Sequence, residues 1–224
     1  MGAPVCVRIA PSAGITPQVR RVSAGCTGAI SAGLRQPPCL SFARSMLPAM
    51  GSRPLPVLHG ERVVLRPVRE ADAAPLVAML REPSVQPWWG DWDAERVRAD
   101  LIAQDDEVVL AIDVGGEVAG ILLVWEEELA EYRHASLDLS LRGAYQGQGL
   151  GSEALRLVIA HLIEERGHHR FTIDPAAANE RAIRAYGRVG FKPVGIMRRY
   201  ERAPDGSWRD GLLMDLLADE FVAR

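Results

Sequence analysis

Between Tyr145 and Ser152 the chain reads YQGQGLGS, with Gly147, Gly149 and Gly151 at every second position, directly ahead of the apolar run SEALRLVIAHLIEE. Glycine accepts positive φ and leaves main-chain N–H groups uncovered by a Cβ. A helix N-terminus adds unpaired N–H donors and a partial positive charge, so together the two features suit an anion, most often a phosphate. Leu150, Ala154, Leu157, Val158 and Ile163 fall near a 3.6-residue stripe, so a helix is expected to follow. A dinucleotide fingerprint requires G-x-G-x-x-G, whereas this stretch has G-x-G-x-G. A Walker loop requires Gly-Lys-Ser/Thr, which does not occur. A glycine-rich turn that does no more than start a helix is the alternative, and only the surrounding elements can decide.

Those elements are legible in outline. LHGERVVLRPV (58–68) reads as a first strand and Glu70 to Arg81 as a helix carrying Leu76, Met79 and Leu80. PSVQPWWGDW (83–92) reads as a loop broken by two prolines, and Ala94 to Ala103 as a second helix. Residues 107–125 form two strands around Gly115-Gly116, a hairpin signal. HASLDLSLRG (134–143) is a strand running into the glycine loop and its helix. HRFTIDP (169–175) is a buried strand, and NERAIRAYGRVG (179–190) a helix ended by Gly190. FKPVGIMRRY and SWRDGLLMDLL close the fold around the APDG turn at 203–206. Strands alternate with helices while hairpins flank the crossover, so a mixed α/β sheet is expected.

Composition narrows the chemistry. At 224 residues and 48% hydrophobic, the chain can bury a full core. Residues 1–60 contain six arginines and no acid, leaving twenty of the 26 bases against all 29 acids, a formal charge of −9 on the remainder. An acidic domain disfavours nucleic acid and favours a cationic partner. No apolar run approaches the roughly 18 residues of a membrane span. Cys6, Cys26 and Cys39 all lie in the first sixty residues, so the domain carries no cysteine nucleophile or thiolate metal site. His168 and His169 are adjacent, no HExxH occurs, and no metal is expected. Residues 1–57 read as a disordered, Arg-rich extension to a domain at 58–224. A start assigned too far upstream, with Met46 or Met50 as the true beginning, explains it most simply; a transit peptide is the alternative.

The order strand, Gln-x-x-Gly-x-Gly, helix, strand, then Asn-x-x-Ala-x-x-x-Tyr…Gly-Phe resembles the GCN5-related N-acetyltransferase (GNAT) superfamily over roughly residues 58–218. The carriers are Gln146, Gly149, Gly151, Asn179, Ala182, Tyr186, Gly190 and Phe191. The resemblance implies the GNAT fold, a mixed, mostly antiparallel central sheet flanked by about four helices, with acetyl-coenzyme A as acetyl donor. The positions implied for the donor are Leu139 and Leu141 on the strand and Gln146, Gly147, Gln148, Gly149, Leu150, Gly151 and Ser152 in the loop and helix start. Asn179, Ala182 and Tyr186 on the next helix complete them. WWG at 88–90, WEEE at 125–128, Asp138 eight residues before Gln146, and IDPAAANERAIRAYGRVGF at 173–191 look like the aminoglycoside 6′-N-acetyltransferases. That similarity implies a cytoplasmic, antibiotic-inactivating enzyme, monomer or homodimer, acting on a cationic small-molecule amine. It implies an acceptor site built from Trp88, Trp89, Glu126, Glu128, Asp138, Asp174 and Asp210. Tyr145 and the long ERAPDGSWRDG hairpin depart from the aminoglycoside pattern.

Acetyl transfer to an amine needs a held thioester, a polarised carbonyl, a neutral amine and a protonated leaving thiolate. The resemblance assigns carbonyl polarisation to a main-chain N–H after Asp138, that of Leu139. Asp138 is the first choice of base, with the Glu126–Glu128 cluster or water as alternatives; strand alternation sends Glu127 to the face opposite the other two. Tyr186 is the expected acid, because a phenol of pKa ~10 stays protonated at neutral pH and can donate to sulfur. Asn179 also suits a helix cap. Carboxylates pair with a polyamine sugar, and a tryptophan face can stack on it; one of Trp88 and Trp89 is expected to pack inward. The opening GERVVLRPV…AD also resembles the branch that acetylates protein N-termini, the runner-up. A silent acyl-coenzyme A-binding module is the reading from another class.

Overall fold

The computed structural model describes residues 53–104 and 107–223. Among these residues eight strands form one sheet in the order β1-β2-β3-β4-β5-β6-β8-β7. They are β1 (Leu58–His59), β2 (Val64–Pro67), β3 (Val108–Val114), β4 (Glu117–Glu127), β5 (His134–Leu141), β6 (Arg170–Ile173), β7 (Lys192–Arg202) and β8 (Trp208–Leu217). Every pairing is antiparallel except β5 with β6. The expected mixed, mostly antiparallel sheet is therefore present.

Among the described residues five α-helices flank it: α1 (Ala73–Leu80), α2 (Gln86–Trp89), α3 (Ala94–Val97), α4 (Leu150–Arg166) and α5 (Glu180–Val189); α3 continues as a π-helical turn at Arg98–Ile102. The apolar stripe of α4, with Leu150, Ala154, Leu155, Val158, Ile159 and Leu162 buried, packs on one face of β2–β5 against Leu65, Leu110, Leu122, Val124 and Leu137. The intervening residues Ala111, Ile121 and Leu123 are buried on the other face, which alternation assigns to α1 and α3. Covering both faces explains why VVLAI and ILLV read as unbroken apolar runs.

Three expectations need correction. The segment 58–68 is two strands, because the chain turns at Gly60, whose N–H donates to Val63 O at 2.8 Å. A Cβ on Gly60 would stand 2.8 Å from the Glu153 carboxylate, so the turn admits no larger residue without a shift. The tryptophan segment carries a helical turn, α2, because Pro87 falls in its first turn, where a missing N–H costs nothing. The domain starts before residue 58: Leu55 is buried in the core, and the carbonyls of Arg53 and Pro54 accept from Arg166. The rest of the expected extension, with Met46 and Met50, lies outside the described residues.

The feature that positions the site is the short contact between β5 and β6. These parallel strands pair only at Ala135–Phe171 and Ser136–Thr172. Beyond Ser136, β5 continues to Leu141 with β4 on one side and no ladder to β6 on the other. A slot therefore opens along residues 137–141, directly ahead of the glycine loop.

Candidate active site

The glycine loop has the backbone the sequence demands. Gly147 and Gly149 sit at φ 77° and 83°, a region side chains rarely enter. Gly149 is the N-cap of α4 and no side chain caps the helix, so its first-turn amides face outward without a local acceptor. Gly151 is not required by sterics: an added Cβ would meet Leu139 and Leu141 at 3.4 Å, an ordinary contact. Gln146 ties the loop to the strand end by donating to Leu141 O at 2.6 Å.

One cleft collects most of the residues expected to hold the donor. Leu139, Leu141, Gln146, Gly147, Gly149, Leu150, Gly151, Ser152, Asn179, Ala182 and Tyr186 line it, together with Trp88 and Trp89. Gln148 does not: its side chain donates to Ala144 O, and its carbonyl accepts from Arg62. Asn179 caps α5 through Ala182 N at 3.1 Å, so capping and cleft lining coincide in one residue.

Arg62 had no signal in the motif. It reaches from the β1–β2 turn, donating to Gln148 O and through Nε to Glu153 at 2.9 Å, and so buttresses the loop from behind. The Arg62 side chain and the amides of Arg62 and Val63 hold Glu153 below the usual carboxylate range against the opposing effect of its burial. Arg181, Arg184 and Arg188 also line the cleft from α5. Their spacing of three and four residues puts them on one helical face, which was readable in advance.

At the other end stand the carboxylates. Asp138 lies opposite Leu123 across β4–β5 and therefore points to the α1–α3 face, away from its neighbour Leu139. The residue is partly exposed overall, yet its carboxyl group is deeply desolvated. Burial first, then the negative charge of Asp174, pushes Asp138 up to about 7; the Leu139 amide, donating to Asp138 Oδ1 at 2.7 Å, acts the other way. Asp174 follows β6 and is pushed up to about 6 by burial, and Glu201 adds to this, while a hydrogen bond from Tyr200 opposes it. Tyr186 is 5% exposed and packs edge-on to Phe191. Burial, then the charges of Asp138 and Asp174, raises its phenol well above the ordinary value, so it remains a proton donor. Asp138, Asp174, Tyr186, Tyr200 and Glu201 thus form one electrostatically coupled group.

The sequence placed other acids here that the structure sends elsewhere. Glu126 has the opposite parity to Leu123 on β4 and faces the C-terminal end of α4, where it pairs with Arg166 and, at 2.6 Å, with His168. Glu128 lies beyond β4, exposed, and its charge acts on His168. Glu127, assigned to the opposite face from those two, lies on the Asp138 side at the far end of the strand, opposite His134. Asp210 Oδ1 accepts from Arg199 N at 2.7 Å and holds a bend in β7. Trp89 is the inward tryptophan, tilted against Trp92 at 6.4 Å. Trp88 stays half-exposed, with the Arg209 guanidinium 5.5 Å from its ring centre.

Among the described residues no cluster of His, Cys, Asp and Glu could hold a metal ion, and no helix is long and apolar enough to cross a membrane.

Comparison with known proteins gives a consistent picture. The acetyltransferase (GNAT) domain model matches residues 62–192. The aminoglycoside N(6′)-acetyltransferase type 1 of Klebsiella pneumoniae is 28% identical over 164 residues, covering 65% of this chain and 80% of that protein. The spermidine N(1)-acetyltransferase of Escherichia coli K12 is 25% identical over 179 residues, covering 75% and 92%. Among solved structures, Mycobacterium smegmatis RimJ in complex with CoA-disulfide superposes with a TM-score of 0.64 at 24% identity, covering 73% of this chain and 88% of that one.

Proposed function

The chain belongs to the acetyltransferase (GNAT) domain family, and from that premise we propose that it acetylates the 6′-amine of aminoglycosides by direct transfer in a ternary complex. The coarser activity, acetyl-coenzyme A-dependent N-acetylation, comes with the family. The choice of acceptor rests on one observation: two desolvated carboxylates, Asp138 and Asp174, whose charges act on each other and on Tyr186, a residue that lines the cleft. A cluster of negative charge out of water is costly alone and complementary to a polycation. The similarity to an aminoglycoside and a spermidine acetyltransferase, both named for polycationic amines, points the same way.

The residues fit the donor. The cradle at Gly147 and Gly149 and the uncapped start of α4 suit a pyrophosphate, and the open edge of β5 at 137–141 suits an extended pantetheine arm paired as a strand would be. Arg181, Arg184 and Arg188 add positive charge along the same cleft. Acetyl-coenzyme A, when bound, supplies a thioester whose acyl carbon is open to attack by an amine.

This chain's own groups manage the protons. Asp138, at about 7, is matched to take a proton from the acceptor's ammonium at neutral pH. The Leu139 amide now occupied by Asp138 Oδ1 is freed when that carboxylate turns to the amine, and becomes a donor for the acyl oxygen. Tyr186 gives its proton to the departing sulfur. The two transfers help each other, because the Asp138 charge is one of the causes that raise Tyr186, and protonating Asp138 removes it. The protonated base thus makes the acid stronger when it is needed.

The test is an acceptor panel on the full chain with acetyl-coenzyme A: kanamycin, tobramycin, spermidine and a ribosomal N-terminal peptide, read by thiol release and by mass spectrometry and NMR of the product. Turnover of the aminoglycosides with acetyl on the 6′-nitrogen is expected. Turnover of the peptide alone would move the assignment to protein N-termini, and coenzyme A binding without turnover of any amine would make the chain a binding module.

A further inference from the structure

Strand β7 breaks its register with β8 at one place. Met197 pairs with Gly211 and Glu201 with Arg209, so Arg198, Arg199 and Tyr200 stand opposite the single residue Asp210. Arg199 at the centre has φ 51°, the one non-glycine residue with positive φ among those described. A side chain rarely adopts that conformation, and it persists only where the surroundings impose it. Two neighbours on β8 impose it here. Asp210 Oδ1 accepts from Arg199 N at 2.7 Å. Gly211 leaves room beneath the next ring: a Cβ there would lie 2.8 Å from Tyr200 Cδ1 and 3.1 Å from Met197 Cε. Bulges re-aim the side chains that follow them, often beside active sites. In this one, Tyr200 meets Asp174 through its hydroxyl. Glu201 meets Arg209, whose other nitrogens donate to Pro87 O and Trp88 O at 2.7 and 2.9 Å.

We propose that this bulge is built to aim Tyr200, and that Tyr200 is a positioning residue whose hydroxyl holds Asp174 as a charged partner for an ammonium group of the acceptor. The inference rests on the cationic acceptor proposed above. The hydroxyl can only donate to a carboxylate, so it favours the ionised form. Against it act burial and the negative charge of Glu201, which Arg209 pairs; Asp138 and Tyr186 complete the group around Asp174. Asp210 belongs to the same device as a scaffold of the bulge, not as a contact to the acceptor.

Removing only the hydroxyl separates this role from packing. In Tyr200→Phe, Asp174 keeps its proton to higher pH, so the KM for tobramycin rises about twofold at pH 7 and about fivefold at pH 6 while kcat changes little. Above about pH 8, where Asp174 ionises without help, the KM returns to the wild-type value. A ring that merely packs would give no change, or the same change at every pH. Gly211→Ala, which pushes the ring aside and leaves Tyr200 and Asp174 intact, should reproduce the pH-dependent rise. Carboxyl-carbon NMR titration of the acceptor-free protein gives an independent reading. The Asp174 midpoint should move up by about one pH unit in Tyr200→Phe, assigned by its absence in Asp174→Asn. An unmoved midpoint, or a KM effect independent of pH, overturns the proposal. Failure of the wild type to acetylate tobramycin would count against the acceptor assignment instead, and the titration would still decide the role of Tyr200.

Discussion

At the glycine loop, residues 146–152 come from one continuous stretch and offer main-chain amides; at the carboxylate end, Asp138, Asp174, Tyr186 and Tyr200 come from β5, the β6–α5 connection, α5 and β7 and offer side chains. The first end depends on backbone conformation at a few glycines and on the start of one helix. The second depends on strand register, since a slip of one residue in β5 would carry Asp138 to the α4 face. On the proposed assignment, the grip on the diphosphate is therefore locally encoded and acceptor recognition is globally encoded. Substitutions at the two ends should fail in different kinetic parameters.

The largest effect is expected at Asp138. Asp138→Asn should lower kcat/KM by about a hundredfold while the affinity for coenzyme A holds, measured by steady-state kinetics and titration calorimetry. In the wild type, kcat/KM should fall as the pH drops through about 7, because the base is active only when ionised. Stability runs the other way. Folded Asp138 keeps its proton up to about 7, against 3.8 for a free carboxyl, so its burial is harmless below that range and costs stability as the pH rises through 7. Asp138→Asn should accordingly raise Tm at pH 8 and leave it unchanged at pH 4. A thermal scan at both values checks the sign.

Tyr186→Phe should come next, with kcat down about tenfold or more and coenzyme A affinity unchanged; an unchanged rate under chemistry-limited conditions removes the phenol from the acid role. Gly149→Ala sharpens the contrast from the other end. Forcing a Cβ into φ 83° costs about 1–2 kcal/mol, so the KM for acetyl-coenzyme A should rise about tenfold while the acceptor KM stays put. The smallest catalytic effect belongs to Glu126→Gln. It leaves the buried Arg166 without its counter-charge and should destabilise the fold by about 3 kcal/mol, yet leave both KM values alone. A denaturant melt beside a kinetic assay separates the two outcomes.

The same division explains how much was legible in the sequence. Alternating glycines before an apolar stripe are a statement about neighbours in the chain, and the loop, α4 and the hairpin at Gly115-Gly116 follow from such local chemistry. Glu126 and Glu128 were placed with Asp138 by the resemblance that the stretch WEEE at 125–128 carries. Nothing local reports that the pairing of β4 with β5 turns Glu126 toward Arg166 and His168. Asp210 was legible as an acid and not as the anchor of a bulge, because the anchor is defined by Arg199 on another strand. Tyr200, Glu201 and Arg62 gave no signal for the same reason. Each acts on a partner far away in the chain, Tyr200 on Asp174 and Arg62 on Glu153.

The separation of the two ends is tested most directly by titrating coenzyme A, in a calorimeter, into the wild-type chain and into a variant carrying Asp138→Asn and Asp174→Asn. The same dissociation constant in both is predicted, because the amides proposed to grip the diphosphate belong to the glycine loop and the start of α4, not to β5 or the β6–α5 connection that carry the acids. No binding by properly folded wild-type protein, or a tenfold weaker grip in the variant, would contradict it.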